Sequence, residues 1–307
     1  MSIALERLNR VVFGHPHLYH PGKAEDFIRA FGPRLTGHSV TIVNAEGGVD
    51  HVPFANGRPS AGIIGDRLGR VFDRAGFAPF DMVDGVAIIP IEGTLVQKGG
   101  WVGAQSGETS YQGLQVQIAR AHRNADVKAV AFEIDSFGGM VNGAFETAAA
   151  IAALSKDKPT IAILTDFAFS AAYLQASQAR QIVMPEFGGA GSIGAVMMHA
   201  DYSGWLDKEG VKITFIKSGK HKTDGNPYEA LPEGLRERWT EQMDAVRDQF
   251  ATFVGKGRGK RMTKAAALKT EAKFFAAADA LDLGLVDAIG DGQQAFAAFV
   301  KEVNRSK

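Results

Sequence analysis

The sequence predicts an α/β fold: a mostly parallel sheet with flanking helices. Three observations predict it. Short, almost wholly apolar runs occur at 85–91, 127–134 and 159–164, the pattern of strands buried on both faces. Stretches with apolar residues at helical spacing separate them. Each strand is followed by a turn signal, so strand and helix alternate at the period of a parallel sheet.

Composition is compatible with a folded chain of this class. Of 307 residues, 45% are hydrophobic and 22% charged, which is ordinary for a globular protein with a real core. Lys plus Arg and Asp plus Glu both number 34, which argues against a nucleic-acid binder driven by bulk charge. With no cysteine, thiolate catalysis, disulfides and Cys-ligated zinc are excluded. No run approaches the roughly 18 apolar residues that span a bilayer. The first residues lack the apolar centre of a signal peptide, so no membrane anchor is expected and the chain is read as cytosolic.

Three regions are expected: a mixed N-terminal extension over 1–80, a catalytic α/β domain over 81–290 and a helical tail over 291–307. In the first, 24–31 reads as a short helix and 57–62 as a turn. The stretch around His15, Pro16, His17, His20 and Pro21 reads as a solvated loop. Its histidines lack further ligands at metal spacing, so no metal site is read there. The first buried strand follows at 85–91. Gly99, Gly100 and Gly103 mark a loop, and Leu114, Ile118 and Ala121 place a helix over 110–124. The second strand, 127–134, ends in Asp135-Ser136-Phe137-Gly138-Gly139, and an alanine-rich helix spans 143–154. The third strand, 159–164, leads to Ser170 and a short helix through Tyr173 and Ala176.

Beyond it, 182–184 reads as a strand, 188–194 as a glycine-rich turn, 203–209 as a helix and 211–216 as a strand delivering Lys217 to Lys222. Leu235, Trp239, Met243, Val246, Phe250 and Phe253 form one long apolar stripe, the core or subunit-facing side of a helix. The run 256–261 reads as a solvated basic loop.

The chemistry centres on Ser170. A serine hydroxyl is a poor nucleophile until a base takes its proton, and a desolvated lysine can do that. Lysine's usual pKa of roughly 10.4 must fall well below that for the amine to be neutral near pH 7. Lys222 is the candidate, with Lys220 as a rival. A Ser-His-Asp arrangement would instead need His122, His199 or His221, none of which lies in a telling motif. Gly138 and Gly139, after a strand and before a helix, allow close backbone approach to a ligand. They read as an oxyanion hole, a phosphate cradle or a plain turn. The cradle is weak, since no Lys-Ser/Thr pair and no G-x-G-x-x-G spacing accompany it.

Phe169-Ser170-Ala171-Ala172-Tyr173, Gly191-Ser192-Ile193-Gly194, Ser218-Gly219-Lys220-His221-Lys222 and Gly284-Leu285-Val286-Asp287, in that order, resemble the signal peptide peptidase A family. Within it the chain is most similar to the bacteriophage branch of head maturation proteases. The usual Ala-Ser-Gly-Gly-Tyr becomes Phe169-Ser170-Ala171-Ala172-Tyr173, and Ser-Pro-Gly-Gly becomes Ser136-Phe137-Gly138-Gly139.

The resemblance implies a fold like that of the Clp protease and crotonase families, assembled as a homo-oligomeric ring. It implies Ser170 as nucleophile, Lys222 as general base, Gly138 and Gly139 as oxyanion donors and Ser192 as the hydroxyl orienting the lysine. No cofactor and no metal are implied. The implied activity is a serine endopeptidase that cuts scaffold and capsid proteins during head assembly, in the bacterial host cytoplasm or inside the procapsid. The small and apolar residues around Gly138 and Ser170 lead us to expect cleavage after small or apolar side chains. Competing readings are a cytosolic peptidase degrading signal or other peptides, a crotonase-like acyl-CoA enzyme and a non-catalytic assembly factor.

Overall fold

The computed structural model describes residues 16–19 and 67–305, apart from positions 77, 100, 101 and 106. In chain order the elements are β1 (His17–Tyr19), α1 (Arg67–Ala75), β2 (Asp81–Val83), β3 (Val86–Val96), β4 (Ala104–Gln105), β5 (Glu108–Ser110) and α2 (Tyr111–Arg123). Next come β6 (Ala129–Met140), α3 (Ala144–Asp157), β7 (Thr160–Phe169), α4 (Ala171–Ala176), β8 (Gln181–Met184), β9 (Gly189–Gly191) and α5 (Ser203–Lys208). The chain continues through α6 (Glu233–Arg258), α7 (Lys264–Lys269), β10 (Phe274–Ala276), α8 (Ala277–Asp282), β11 (Ala288–Ile289) and α9 (Gly292–Arg305).

The predicted α/β architecture is present. Among the described residues eleven strands form one sheet, with the central order β10-β9-β7-β6-β3-β5-β4. The central strands β3, β6 and β7 run parallel. Side chains alternate faces along a strand, and each face has its own core. Ala87, Ile89 and Ile91 of β3, Val130, Phe132 and Ile134 of β6, and Ala162 and Leu164 of β7 pack under α2, α3 and α4. Val86, Ala129, Ala131, Ile161 and Ile163 face the other way and pack on Phe299 of α9. Burial on both faces is why these strands read as continuous apolar runs, each buried Ile, Leu or Phe stabilising by about 1.5–3 kcal/mol.

Local signals set the boundaries. Ser110 caps α2, its side chain accepting from the Gly113 N–H at 3.0 Å. The buried Tyr111 beside it donates its hydroxyl to the Met140 carbonyl at 2.9 Å, fixing the end of β6. Burial, then the charge of Glu146, pushes that phenol well above its usual value, so it stays a donor.

Several expectations are corrected. β6 and β7 extend beyond the predicted 127–134 and 159–164, because β6 keeps pairing with β3 through Gly138 and Gly139 after a register shift. The glycine-rich turn contains a true strand, β9, paired with β7 and β10. Residues 211–216 form no strand: they are exposed, with no partner strand among the described residues. His17 is not in a solvated loop but in β1, 2% exposed and paired with β6. The helix read over 24–31 and the turn over 57–62 lie outside the described residues.

The solvated basic loop over 256–261 is also overturned. Residues 256–258 are the last turn of α6, and the Arg258 side chain is wholly buried. It makes two hydrogen bonds at 2.8 Å to the Asp287 carboxylate and two to the Gly284 carbonyl. A guanidinium enters an interior only when its donors are met, and the bidentate carboxylate meets them. Asp287 also accepts from Arg261 and from the Ile182 N–H of β8. Burial raises its pKa, but the bonds and charge of Arg258, then Ile182 and Arg261, outweigh this and hold the carboxyl below its usual range.

Asp287→Ala strands the Arg258 charge and should cost about 3–5 kcal/mol in a urea melt. Because the folded pKa of Asp287 is depressed, its contribution is present above the unfolded value of about 3.9 and is lost as pH falls through the lower folded value. Wild type should therefore show a stability loss at acid pH that is smaller in Asp287→Asn.

Candidate active site

β7 ends at Phe169 and α4 begins at Ala171, so Ser170 is the whole connection between a buried strand and a helix. Its backbone is at φ 55 and ψ −119, a conformation that non-glycine residues rarely adopt. Strand, strained serine and helix are the local geometry that lifts a nucleophilic hydroxyl off the end of a sheet. Small residues must follow for the helix to pack closely. Ala171 and Ala172 supply them, and both are fully buried. The Ser170 N–H donates to the Gly191 carbonyl at 2.8 Å, and its hydroxyl points to the Gly194 carbonyl at 3.5 Å.

The predicted Gly191–Gly194 segment thus lies against the serine. Ser192 is 5% exposed, has φ 56, and donates its N–H to the Lys273 carbonyl at 2.9 Å. Gly138 and Gly139 sit on the neighbouring strand, since Ser136 of β6 pairs with Ala168 of β7. Only glycine fits there. Gly138 has φ 95, and a Cβ on Gly139 would meet the Leu95 carbonyl oxygen at 1.9 Å. The Gly138 N–H is donated to Ser136 Oγ at 3.0 Å, and that hydroxyl donates to the Gly93 carbonyl at 2.5 Å. Ser136 therefore organises the glycine strap, a role the sequence reading did not assign. The signal was available as a serine two residues before the first of two positions needing glycine geometry.

The structure brings Ser170, Ser192, Gly138 and Gly139 into one neighbourhood but does not join Lys222 to them. Lys222 lies in an exposed turn, its backbone N–H on the Gly219 carbonyl at 3.3 Å, and its amine makes no hydrogen bond among the described residues. Lys220 is exposed in the same turn. None of the three histidines hydrogen-bonds Ser170. His122 pairs with Asp157, His221 with Asp224, and His199 with the Asn226 carbonyl.

An aromatic cluster borders the serine. Phe137 of the strap lies 5.3 Å from Phe167 and 5.4 Å from Phe169, and Phe169 lies 5.4 Å from Phe274 of β10. Behind the serine, Tyr173 of α4 is fully buried and donates its hydroxyl to the Leu285 carbonyl at 2.8 Å. Burial, the largest influence, pushes that phenol above its usual value. This bond, with the Arg258–Asp287 pair, explains the 284–287 motif: it anchors the helix that follows Ser170.

Comparisons with known proteins point to a family. A family model described as peptidase family S49 matches residues 152–306. The chain is 34% identical over 283 residues to the capsid assembly protease C of Escherichia phage lambda, covering 92% of this chain and 62% of that protein. It is 32% identical over 300 residues to the head-tail preconnector protein GP5 of Enterobacteria phage P21, covering 98% and 58%. The chain therefore spans less than two thirds of either relative. Among solved structures, a ClpP1 variant from Listeria monocytogenes overlaps 67% of this chain and 92% of its own, with 13% identity and a TM-score of 0.41.

The backbone at Ser170 gives a sharp expectation. At ordinary sites alanine is about 0.5–1 kcal/mol better than glycine. Here a left-handed strain of about 1–3 kcal/mol is relieved only by losing the Cβ. Ser170→Gly should melt higher than Ser170→Ala by differential scanning calorimetry; the usual order would mean that the turn is unstrained.

Proposed function

The chain belongs to peptidase family S49, and from that premise we propose that it is a serine endopeptidase acting in phage head maturation, with Ser170 as nucleophile and Lys222 as base. The single observation that carries the proposal is Ser170 itself: a strained, 1% exposed serine between β7 and α4, beside a glycine strap that cannot hold a side chain. In this reading Ser170 Oγ attacks the scissile carbonyl and its proton passes to the Lys222 amine. The developing oxyanion is met by backbone N–H groups of the Gly138-Gly139 strap, the Gly138 N–H leaving Ser136 Oγ to do so. Lys222 then protonates the leaving amine, and a water activated by the same amine releases the acyl group.

The substrate assignment follows from the relatives. One is named for capsid assembly and the other for the head-tail connection, each at about one third identity over nearly all of this chain. Scaffold and head proteins, met in the host cytoplasm or the procapsid, are the proposed substrates. Phe137, Phe167 and Phe274 beside the serine suit apolar side chains. Among the described residues no helix is long and apolar enough to cross a membrane.

A base that must be desolvated is exposed in the single chain, and this favours a homo-oligomer. The stretch leading to Lys222 exposes Val211, Ile213 and Phe215 at alternate positions, by 44%, 45% and 42%, and Ile216 completely. Such a row is an exposed apolar patch, with only Phe215 set against a ring, that of Tyr228, among the described residues. A second copy laid against it would remove water from the turn that carries Lys222.

Two experiments test this. Ser170→Ala and Lys222→Ala should each lower kcat/KM on a scaffold-derived peptide by at least about a thousandfold, since such residues act as a unit. Lys222→Arg should not recover activity, because guanidinium keeps its proton. Ser192→Ala should lose less. Retained activity in Lys222→Ala with loss in Lys220→Ala would reassign the base. Ile213→Asp with Phe215→Asp should shift the light-scattering mass to that of a monomer and remove activity together. A wild-type monomer with full activity would refute the oligomer.

A further inference from the structure

β7 pairs with β6 only as far as Ser136↔Ala168 and then leaves through Ser170. The edge of β6 beyond that point, carrying Gly138, Gly139 and Met140, is open to another strand. β1 takes it, antiparallel, in the register His17↔Met140, Leu18↔Gly139 and Tyr19↔Gly138. The opposite edge of β1 is also met. The His17 N–H donates to the Val196 carbonyl at 2.9 Å, and the Val196 N–H donates to the His17 carbonyl at 3.0 Å. Alternation along a strand then turns the N–H and C=O of Leu18 toward Gly139. His17 is 2% exposed between these walls.

Both walls belong to the candidate site. One is the strap of Gly138 and Gly139. The other is the chain immediately after Gly194, whose carbonyl faces the Ser170 hydroxyl. A slot that bonds a backbone on both edges recognises an extended peptide whatever its sequence, and this is strand addition. Among the described residues no other strand pairs with the edge of β6 that faces β1; its opposite edge pairs with β3. We propose that residues 17–19 are a cis occupant of the peptide-binding slot, holding the enzyme closed until they withdraw. The proposal rests on the peptidase reading of Ser170. A tethered segment acts at an effective concentration on the order of millimolar, so an incoming peptide competes at a disadvantage until the tether is displaced.

The chain has no cysteine, so the occupant can be locked in place. His17 and Val196 form a doubly bonded antiparallel pair, for which the Cα separation is about 5.5 Å, within disulfide reach. In a His17→Cys, Val196→Cys variant on a Ser170→Ala background, binding of a fluorescein-labelled peptide of residues 15–21 is read by anisotropy. The oxidised form should bind at least tenfold more weakly than the same protein after dithiothreitol. In a second full-length variant, Leu18→Pro, which removes the N–H facing Gly139, the peptide should bind at least tenfold more tightly than to the unaltered chain. With Ser170 restored, kcat/KM should rise through a lower KM. Equal affinity in oxidised and reduced forms would overturn the proposal. So would a Leu18→Pro chain that binds no better and melts lower, since β1 would then be only a structural edge. If no variant hydrolyses any peptide, the peptidase reading fails, while the anisotropy still decides whether β1 fills the slot.

Discussion

Ser170 can hold its left-handed backbone only because its surroundings over-determine it. Such a conformation costs of order 1–3 kcal/mol and would relax if either flank were loose. On the strand side, the Ser170 N–H is tied to Gly191 and β9 is clamped between β7 and β10. On the helix side, every residue of α4 is buried, Tyr173 is bonded to Leu285, and Gln175 donates to the Ala144 carbonyl at 3.0 Å. The buried Arg258–Asp287 pair closes this frame, joining α6, β8 and the segment before β11 behind the helix. A buried ion pair adds little net stability over an apolar pair of the same shape. What it adds here is a fixed position for the carbonyls that Tyr173 and Arg258 need.

The fold was legible in the sequence where two-sided burial leaves a compositional mark. β3, β6 and β7 read as apolar runs because α2, α3 and α9 cover both faces. The cap at Ser110 and the helix after it were equally legible, since a local hydrogen bond sets that boundary. Arg258 was not. A Lys-Gly-Arg-Gly-Lys-Arg run reads as solvated unless its distant carboxylate is known, and Asp287 lies in a different part of the chain. β1 was missed for the same reason: the three residues His17-Leu18-Tyr19 are too few to carry a strand period, and their partners at 138–140 and 196 are remote in sequence.

The candidate site divides along the same line. Ser170, Ser192 and the two glycines occupy positions where the backbone itself is constrained, either by positive φ or by a carbonyl at van der Waals overlap with any Cβ. Such constraints force small or special residues and leave motifs. Ser136 left a weaker trace, because a serine can hydrogen-bond backbone in many contexts. Lys222 is different in kind. Its role depends on desolvation, and one chain does not desolvate it. The residues that would do so are the exposed apolar row at 211–216, and these read as an ordinary strand until the structure shows them exposed, with Phe215 against the Tyr228 ring at 6.1 Å.

Two departures from the sequence reading bear on the proposed activity. The slot between the glycine strap and Val196 is filled by residues that were expected in a loop, and the segment expected to be a strand stands open. A strand-shaped vacancy costs main-chain hydrogen bonds that water only partly replaces, so a chain gains by filling it with its own backbone. An exposed apolar row likewise gains by finding a second copy. Under the proposals made above, the isolated chain is then inactive twice over, with its peptide slot taken and its base solvated. Under the same proposals both conditions would change on assembly: a copy covering 211–216 would dehydrate the lysine, and a crowded substrate would raise the concentration against which β1 competes. If the substrates are, as proposed, the proteins of a particle under construction, coupling activity to assembly in this way would restrict cutting to chains already gathered together.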